Sequence, residues 1–415
     1  MRKLILILCS ILSTWASSQS LKELYNQSVN AYETKDYKRF LELNLKALEF
    51  HPSQPTILYN TAIAYAKNND VSTSKRYVSK LLSWNAELPF EKDADLEDLL
   101  EDKVVLDSLI QLKNLYNTTK SVSELQYTIH GKYHFESVLE VNHQLWLTDI
   151  HNRQLMVFHM ENQKLYAKNK FELPPLAIIG DLQNNSVWVS TGNVLNTLED
   201  RRYPPRLVEI SMENHQESAA IELPENSIIG AMIKLDTSHI MATDSSEPRL
   251  FIIDIVEKKI TRTIQVEEGF NLQGISLDAK NAMVYMADYI KGICFFNINT
   301  PEKRFWISSD NYLLKGIDGL TVLNEHQLIA VQNNSTPKKV ILITHEKSKI
   351  TGIEILDSGI FDGGEPTNGE YLKNKGFLYI SNTPWPHYDK EMKPQEEKWE
   401  QPEIRLISDK ILIKE

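Results

Sequence analysis

Four side chains with oxygen donors stand at one repeated position of this chain. Glu136, Gln273, Asp318 and Asn368 each come immediately before a small residue, namely Ser137, Gly274, Gly319 and Gly369, at the start of a short apolar segment. Two carboxylates and two amides, completed by water, are the donor set of a hard divalent cation such as calcium. An ion held this way can polarise a carbonyl or hold a water for hydrolysis. Polar residues would equally suit a channel that is simply wet. In two further segments the same position carries Ile179, before Gly180, and Ile229, before Gly230. From Ser137 the successive small residues are spaced by 43, 50, 44, 45 and 50 positions. His134, two residues before Glu136, is a candidate to face the same place, so His134, Ile179 and Ile229 are read as ligand-lining residues.

The elements that position these residues follow from a second repeat. The strings LWLTD (145–149), VWVST (187–191), IMATD (240–244), VYMAD (284–288), LIAVQ (328–332) and LYISN (378–382) each end in a small polar residue. Their ends are separated by 42, 53, 44, 44 and 50 positions. An apolar, alternating strand follows each, from QLMVFHM at 154–160 to EIRLISD at 403–409. Several short strands recurring every roughly 40–50 residues are the signature of a β-propeller. Six repeats predict six blades around a channel, with Glu136, Gln273, Asp318 and Asn368 on neighbouring blades because the last blade closes on the first. Short strands at 125–129 and 411–413 flank the repeats, and one of them is expected to complete a blade and protect an open edge.

Before the repeats the pattern changes. Residues 19–118 show apolar positions at helical spacing and little Gly or Pro. Ala31-Tyr32 followed by Lys35-Asp36 recurs 33 positions later as Ala64-Tyr65 followed by Asn68-Asn69. This resembles the tetratricopeptide repeat, with helices near 21–34, 37–50, 54–67 and 71–84 and a poorer pair over 90–116. A generic helical hairpin bundle would leave a similar trace. So short a solenoid buries little core by itself, and a protein or peptide partner is expected on it. The first 18 residues combine Arg2 and Lys3 with an apolar run and small residues at 16–18, the layout of a secretory signal cleaved near Ser18. The expected organisation is therefore a signal at 1–18, a helical repeat domain at 19–118 and a six-bladed propeller at 119–415. The fold class is multidomain α plus all-β, in a periplasmic or extracellular protein. No stretch reads as a transmembrane segment.

Composition narrows the function. The net charge is −11, against a nucleic-acid binder, which needs a basic surface. Of two cysteines, Cys9 lies in the signal, leaving Cys294 as a small buried hydrophobe. There is no Gly-x-Ser-x-Gly elbow, His-Glu-x-x-His, P-loop or dinucleotide fingerprint. The stretch 384–402, PWPHYDKEMKPQEEKWEQP, interrupts the last blade and is long for a propeller loop. Its Trp385, His387, Tyr388 and Trp399 suit either a lid or a solvated insertion.

The strings LQGISLDAKNAMVYMADYIKGICFFNI, LKGIDGLTVLNEHQLIAVQN and EPTNGEYLKNKGFLYISN resemble blades of the gluconolactonase and senescence-marker (regucalcin-like) propellers. The resemblance implies one divalent cation, calcium foremost, held in the channel, with a glutamate mapping to Glu136 and an aspartate mapping to Asp318 as metal ligand and base for lactone hydrolysis. The family's asparagine falls on Gln273, and a substrate-side asparagine falls on Ile229. Two functions emerge. One is an exported binding protein, with a partner on its helices and a small-molecule ligand at a degenerate metal site in the channel. The other is a metal-dependent lactone or ester hydrolase with catalytic Asp318. A scaffold with a vestigial channel is a third.

Overall fold

A computed structural model of the chain describes residues 21–195, 197 and 200–413. The signal expected at 1–18 lies outside the described residues. Two compact units are present. The first comprises the chain up to Leu81 together with Pro89–Ile110, and the second comprises Leu82–Leu88 together with Gln111–Glu415.

In the first unit lie helices α1 (Leu21–Glu33), α2 (Tyr37–Phe50), α3 (Pro55–Lys67) and α4 (Val71–Trp84) up to Leu81, the last three residues of α4 being counted with the second unit. Asp36 caps α2 by accepting from the Arg39 amide. Gln54 caps α3, whose first residue is Pro55, a position that needs no amide donor. Leu24, Ala31, Phe40, Leu43, Ala47, Ile57 and Leu58 are buried. Between α1 and α2 a buried amide of Asn44 donates to Ser28 Oγ at 3.0 Å. The poorer pair expected over 90–116 is instead two 3₁₀ turns, a one-turn helix Glu97–Leu100 and a longer helix Lys103–Asn117. Two aspartates in this stretch, Asp93 and Asp95, favour capping and turns over helix continuation, and Asp93 accepts from the Asp95 amide. Tyr59 and Tyr32 each donate to one of them, Asp93 and Asp95, at 2.6 Å.

The second unit is a six-bladed β-propeller: six four-stranded antiparallel sheets. Blades 1 to 5 are sequential, running from Phe135–Val141 through Lys349–Ser358. Blade 6 takes Gly369–Leu372, Gly376–Ile380 and Glu403–Ser408 from the end of the chain and its outermost strand, Glu124–Thr128, from before blade 1. The ring is closed by the earlier of the two flanking segments. The other, around 411–413, is no strand: a short helix, Asp409–Leu412, follows the last paired residue Ser408, and Leu412 packs among Phe377, Tyr379 and Ile407. Within the same unit, Leu82–Leu88 is tied to blade 5: the Leu313 amide donates to Ser83 Oγ, the Thr336 amide to Trp84 O, and buried Lys339 Nζ to Ser83 O.

The two sequence repeats have distinct structural jobs. Apolar residues of the second strands pack between adjacent blades, as Trp188, Ile240 and Ala242 do between blades 2 and 3, together with Phe251 of the third strand. The polar residue ending the repeat folds the next loop. Asp149 accepts from the His134 amide, Asp244 from those of Ile228 and Ser246, and Asp288 from those of Ile290 and Lys291. One residue earlier, a hydroxyl repairs a bulge in the innermost strand. In blade 1, Phe135 pairs with Asp149 and Val138 with Leu147, so Glu136 and Ser137 face one residue, Thr148. The Ser137 amide left by that bulge donates to Thr148 Oγ1, and this hydroxyl donates to Leu176 O of blade 2. Ser190 and Thr243 receive the Ala177 and Ala231 amides in the same way.

Candidate functional site

The bulge decides which side chain each blade turns toward the channel mouth. Its first residue is Glu136 in blade 1, Leu176 in blade 2, Gly230 in blade 3 and Gln273 in blade 4. Asp318 takes this place in blade 5. Gly274, the second bulge residue of blade 4, is required by packing: a Cβ there would come within 2.5 Å of the Leu320 amide nitrogen.

Of the residues singled out in the sequence, Glu136, Gln273, Asp318 and Ile229 line one cavity of about 210 Å³ at this mouth. Asn368 and Ile179 do not; they line a second cavity of about 440 Å³ further along the channel. Ile179 lies two residues beyond its blade's bulge and pairs with Trp188. The Asn368 amide reaches from blade 6 to Gly230 O of blade 3, on the opposite side of the ring, at 3.3 Å. Gln273 Nε2 donates to Asn271 Oδ1 at 2.7 Å. His134 is fully buried, packed edge-on against Trp385 with ring centroids 4.3 Å apart.

Glu136 and Asp318 are joined by a residue the sequence did not flag. Thr367 Oγ1 donates to Asp318 Oδ2 at 2.9 Å and sits 3.4 Å from Glu136 Oε1. Asn333 adds a second donor to Asp318 Oδ2 at 3.2 Å and accepts from the Tyr289 hydroxyl at 2.9 Å. Glu136 Oε2 accepts from Trp385 Nε1 at 2.8 Å, which makes the insertion at 384–402 part of the mouth. Glu365 completes the wall.

These carboxyls are held in their neutral form more strongly than ordinary ones. Burial raises the pKa of Glu136, and the charges of Asp318 and Glu365 add to it. Burial also raises Asp318, opposed by the Thr367 hydrogen bond. Glu365 is pushed up to about 7, first by burial and then by Asp318, with Lys338 acting the other way. Burial lowers the pKa of His134, with His151 contributing. The donor chemistry, two carboxylates beside a buried amide, suits a divalent cation. Among the described residues, no three His, Cys, Asp or Glu side chains converge closely enough to hold one as they stand; Thr367 and Trp385 hydrogen-bond the carboxylate oxygens instead.

Thr367, Asn333 and Glu365 escaped the sequence reading because they lie outside the six-fold position. Asn333 follows the end of the 328–332 repeat by one residue, and Glu365 and Thr367 come from the irregular lead-in to blade 6.

No protein-family model matches the chain, and no curated protein sequence matches it. Solved structures are similar to it in fold. A luciferin-regenerating enzyme aligns with TM-score 0.50 and 12% identity over 68% of this chain and 93% of that one. The WD40 β-propeller domain of Doa1 aligns with TM-score 0.46, 8% identity and coverages of 63% and 80%. A nidogen/laminin complex aligns at 0.41, 14%, 54% and 80%. Among the described residues no helix is long and apolar enough to cross a membrane.

Proposed function

We propose that the propeller mouth binds a small ligand through a divalent cation, in an exported protein whose helical hairpins hold a protein or peptide partner. The observation that carries this reading is the Glu136–Thr367–Asp318 bridge: two desolvated carboxylates share one hydroxyl proton, and the charges acting on Glu136 are negative. Such an arrangement costs stability unless a cation is its intended occupant. Calcium is the cation implied by the resemblance to gluconolactonase-type propellers. Glu136 and Asp318 would ligate it, with Gln273 and Asn333 offering amide oxygens after rotation. The recurrence of Ala31-Tyr32 as Ala64-Tyr65 supports a tetratricopeptide-like surface on the hairpins.

A second reading is a lactone or ester hydrolase with Asp318 as base. It is favoured by the raised pKa of Asp318, which brings a carboxylate closer to the working range of a general base. Calorimetry with Ca²⁺, followed by a panel of sugar lactones and aryl esters with Asp318→Ala as control, separates the two. Stoichiometric binding without turnover supports the binding protein, Asp318-dependent turnover establishes the hydrolase, and the absence of any cation binding defeats both. Photo-crosslinking from Tyr25 or Phe50, both exposed on the hairpins, should trap a protein in cells, and an empty trap removes the partner. Export predicts a mature N-terminus at Gln19 in the exported fraction, and an uncleaved chain refutes it.

A further inference from the structure

His134 has an open ring nitrogen in a closed environment. It is 0% exposed. Its Nδ1 lies 2.8 Å from the Tyr388 hydroxyl. Its Nε2 is buried without a hydrogen-bond partner and stands 3.9 Å from Glu136 Oε2. Buried polar atoms without partners are uncommon and call for a cause. The neighbouring geometry supplies one. Trp385 packs edge-on against the imidazole at an interplanar angle of 83° and donates its indole N–H to that same Glu136 Oε2 at 2.8 Å. Indole N–H is a donor only, so it fills a carboxylate lone pair in the way a cation would. Trp385 belongs to the cavity wall, and His134 stands behind it.

We propose that Trp385 is a removable plug in a mixed nitrogen–oxygen metal site: when the indole leaves Glu136, His134 Nε2 joins Glu136 and Asp318 around a borderline divalent cation such as zinc or manganese. This rests on the reading of the mouth as a cation site and changes the class of cation from calcium. Calcium favours oxygen ligands throughout, whereas imidazole beside carboxylates suits zinc and its neighbours. Two atoms bound to one zinc at about 2.0–2.2 Å lie about 3–3.5 Å from each other, so the observed 3.9 Å needs a shift of well under an ångström. Trp385 opens the short 3₁₀ turn Trp385–His387. Further along, the insertion is pinned to blade 1 by His151 Nε2 on Glu396 Oε1 at 3.2 Å and by Lys132 on Glu396 O.

The test is calorimetric titration of the full-length protein with Zn²⁺, Mn²⁺ and Ca²⁺ separately. Wild type should bind one Zn²⁺ at least about ten-fold more tightly than Ca²⁺. His134→Gln should lose that preference while keeping Ca²⁺ binding. Trp385→Phe, which keeps a ring and removes the N–H, should bind all three several-fold more tightly. Zn²⁺ should also change the tryptophan emission of wild type and not of Trp385→Phe, a readout that decides the matter even if the buried histidine variant does not fold. Ca²⁺ bound as tightly as Zn²⁺, an unchanged affinity in Trp385→Phe, or an emission change that survives in that variant overturns the proposal and leaves the cation reading standing. Failure of all three ions to bind overturns both.

Discussion

The two ends of the propeller channel treat buried charge in opposite ways. At the far end, Asp181, 1% exposed, holds Lys234 Nζ at 2.7 Å, Glu140 pairs with Lys375, and Glu370 accepts the Glu140 amide at 2.8 Å. Asp181 and Glu140 each have a cation there; Glu370 has a backbone donor and is the exception, since burial and, after it, the charge of Glu140 push its pKa up to about 7, with the amide bond and Lys375 acting the other way. At the mouth, Glu136 and Asp318 meet through a threonine, and the charges raising the pKa of Glu136 come from other acids. Folding rewards the first arrangement. The second lowers the stability of the empty protein, and strained electrostatics of this kind concentrate at functional sites. The contrast separates residues that hold the ring together from residues that wait for a ligand.

Breaking the mouth should have the largest effect. Asp318→Asn should weaken cation binding by about 100-fold, roughly 2.7 kcal/mol, whereas Glu370→Gln, at the far end, should leave it within about two-fold. Equal losses in calorimetry would erase the distinction between the ends. Next, Asp181→Ala strands Lys234 and should cost about 2 kcal/mol in denaturant unfolding. That is less than the 3–5 typical of a wholly buried pair, because Lys234 is 25% exposed. A midpoint that does not move would show that the far pair is not structural.

Glu365 supplies a pH signature. Its pKa in the folded protein, about 7, lies above the ordinary carboxyl value. The native state therefore holds that proton more tightly than the unfolded chain. The resulting stability is fully present below the unfolded pKa and is lost as pH rises through about 7. Glu365→Gln should match wild type near pH 4 and exceed it by roughly 3 kcal/mol at pH 8 in the absence of divalent ions; parallel melting curves across that range would contradict it. Smallest of all, Lys375→Ala removes a pair whose lysine is half exposed and should cost about 0.5 kcal/mol or less. A larger loss would mean that the far end depends on its surface charges as well as its buried ones.

Much of this was legible in the sequence, for a physical reason. The repeats from LWLTD to LYISN mark the second strands, whose burial on both faces demands apolar residues and whose ends need a loop-folding side chain. Six blades follow from that periodicity, and the four helices of the hairpins follow from the helical spacing of apolar residues before it. The channel position was harder. Glycine marks it in blades 4 and 5 because backbones approach there. In blade 2, Gly180 lies opposite Val187, beyond the bulge, and the residue at the mouth is Leu176. In blade 3, Gly230 itself occupies the bulge. Thr367, Asn333 and Glu365 carry no periodic mark, since they come from loops whose geometry only the folded ring defines. The link from Trp385 to Glu136 spans 249 positions, a separation over which no local pattern operates.

The strand Glu124–Thr128, by pairing Glu124 with Leu406, also sets the order of assembly. Five blades can form from contiguous hairpins, each with local contacts. The sixth has to wait for two strands roughly 280 residues apart to meet, a loop closure costing about 5 kcal/mol of chain entropy. Such long-range pairing is slow to form, and until it happens Glu403–Ser408 presents a bare edge. The mouth, where blade 6 contributes Glu365 and Thr367 beside Glu136 of blade 1, lies at the seam between the two blades that this clasp ties together.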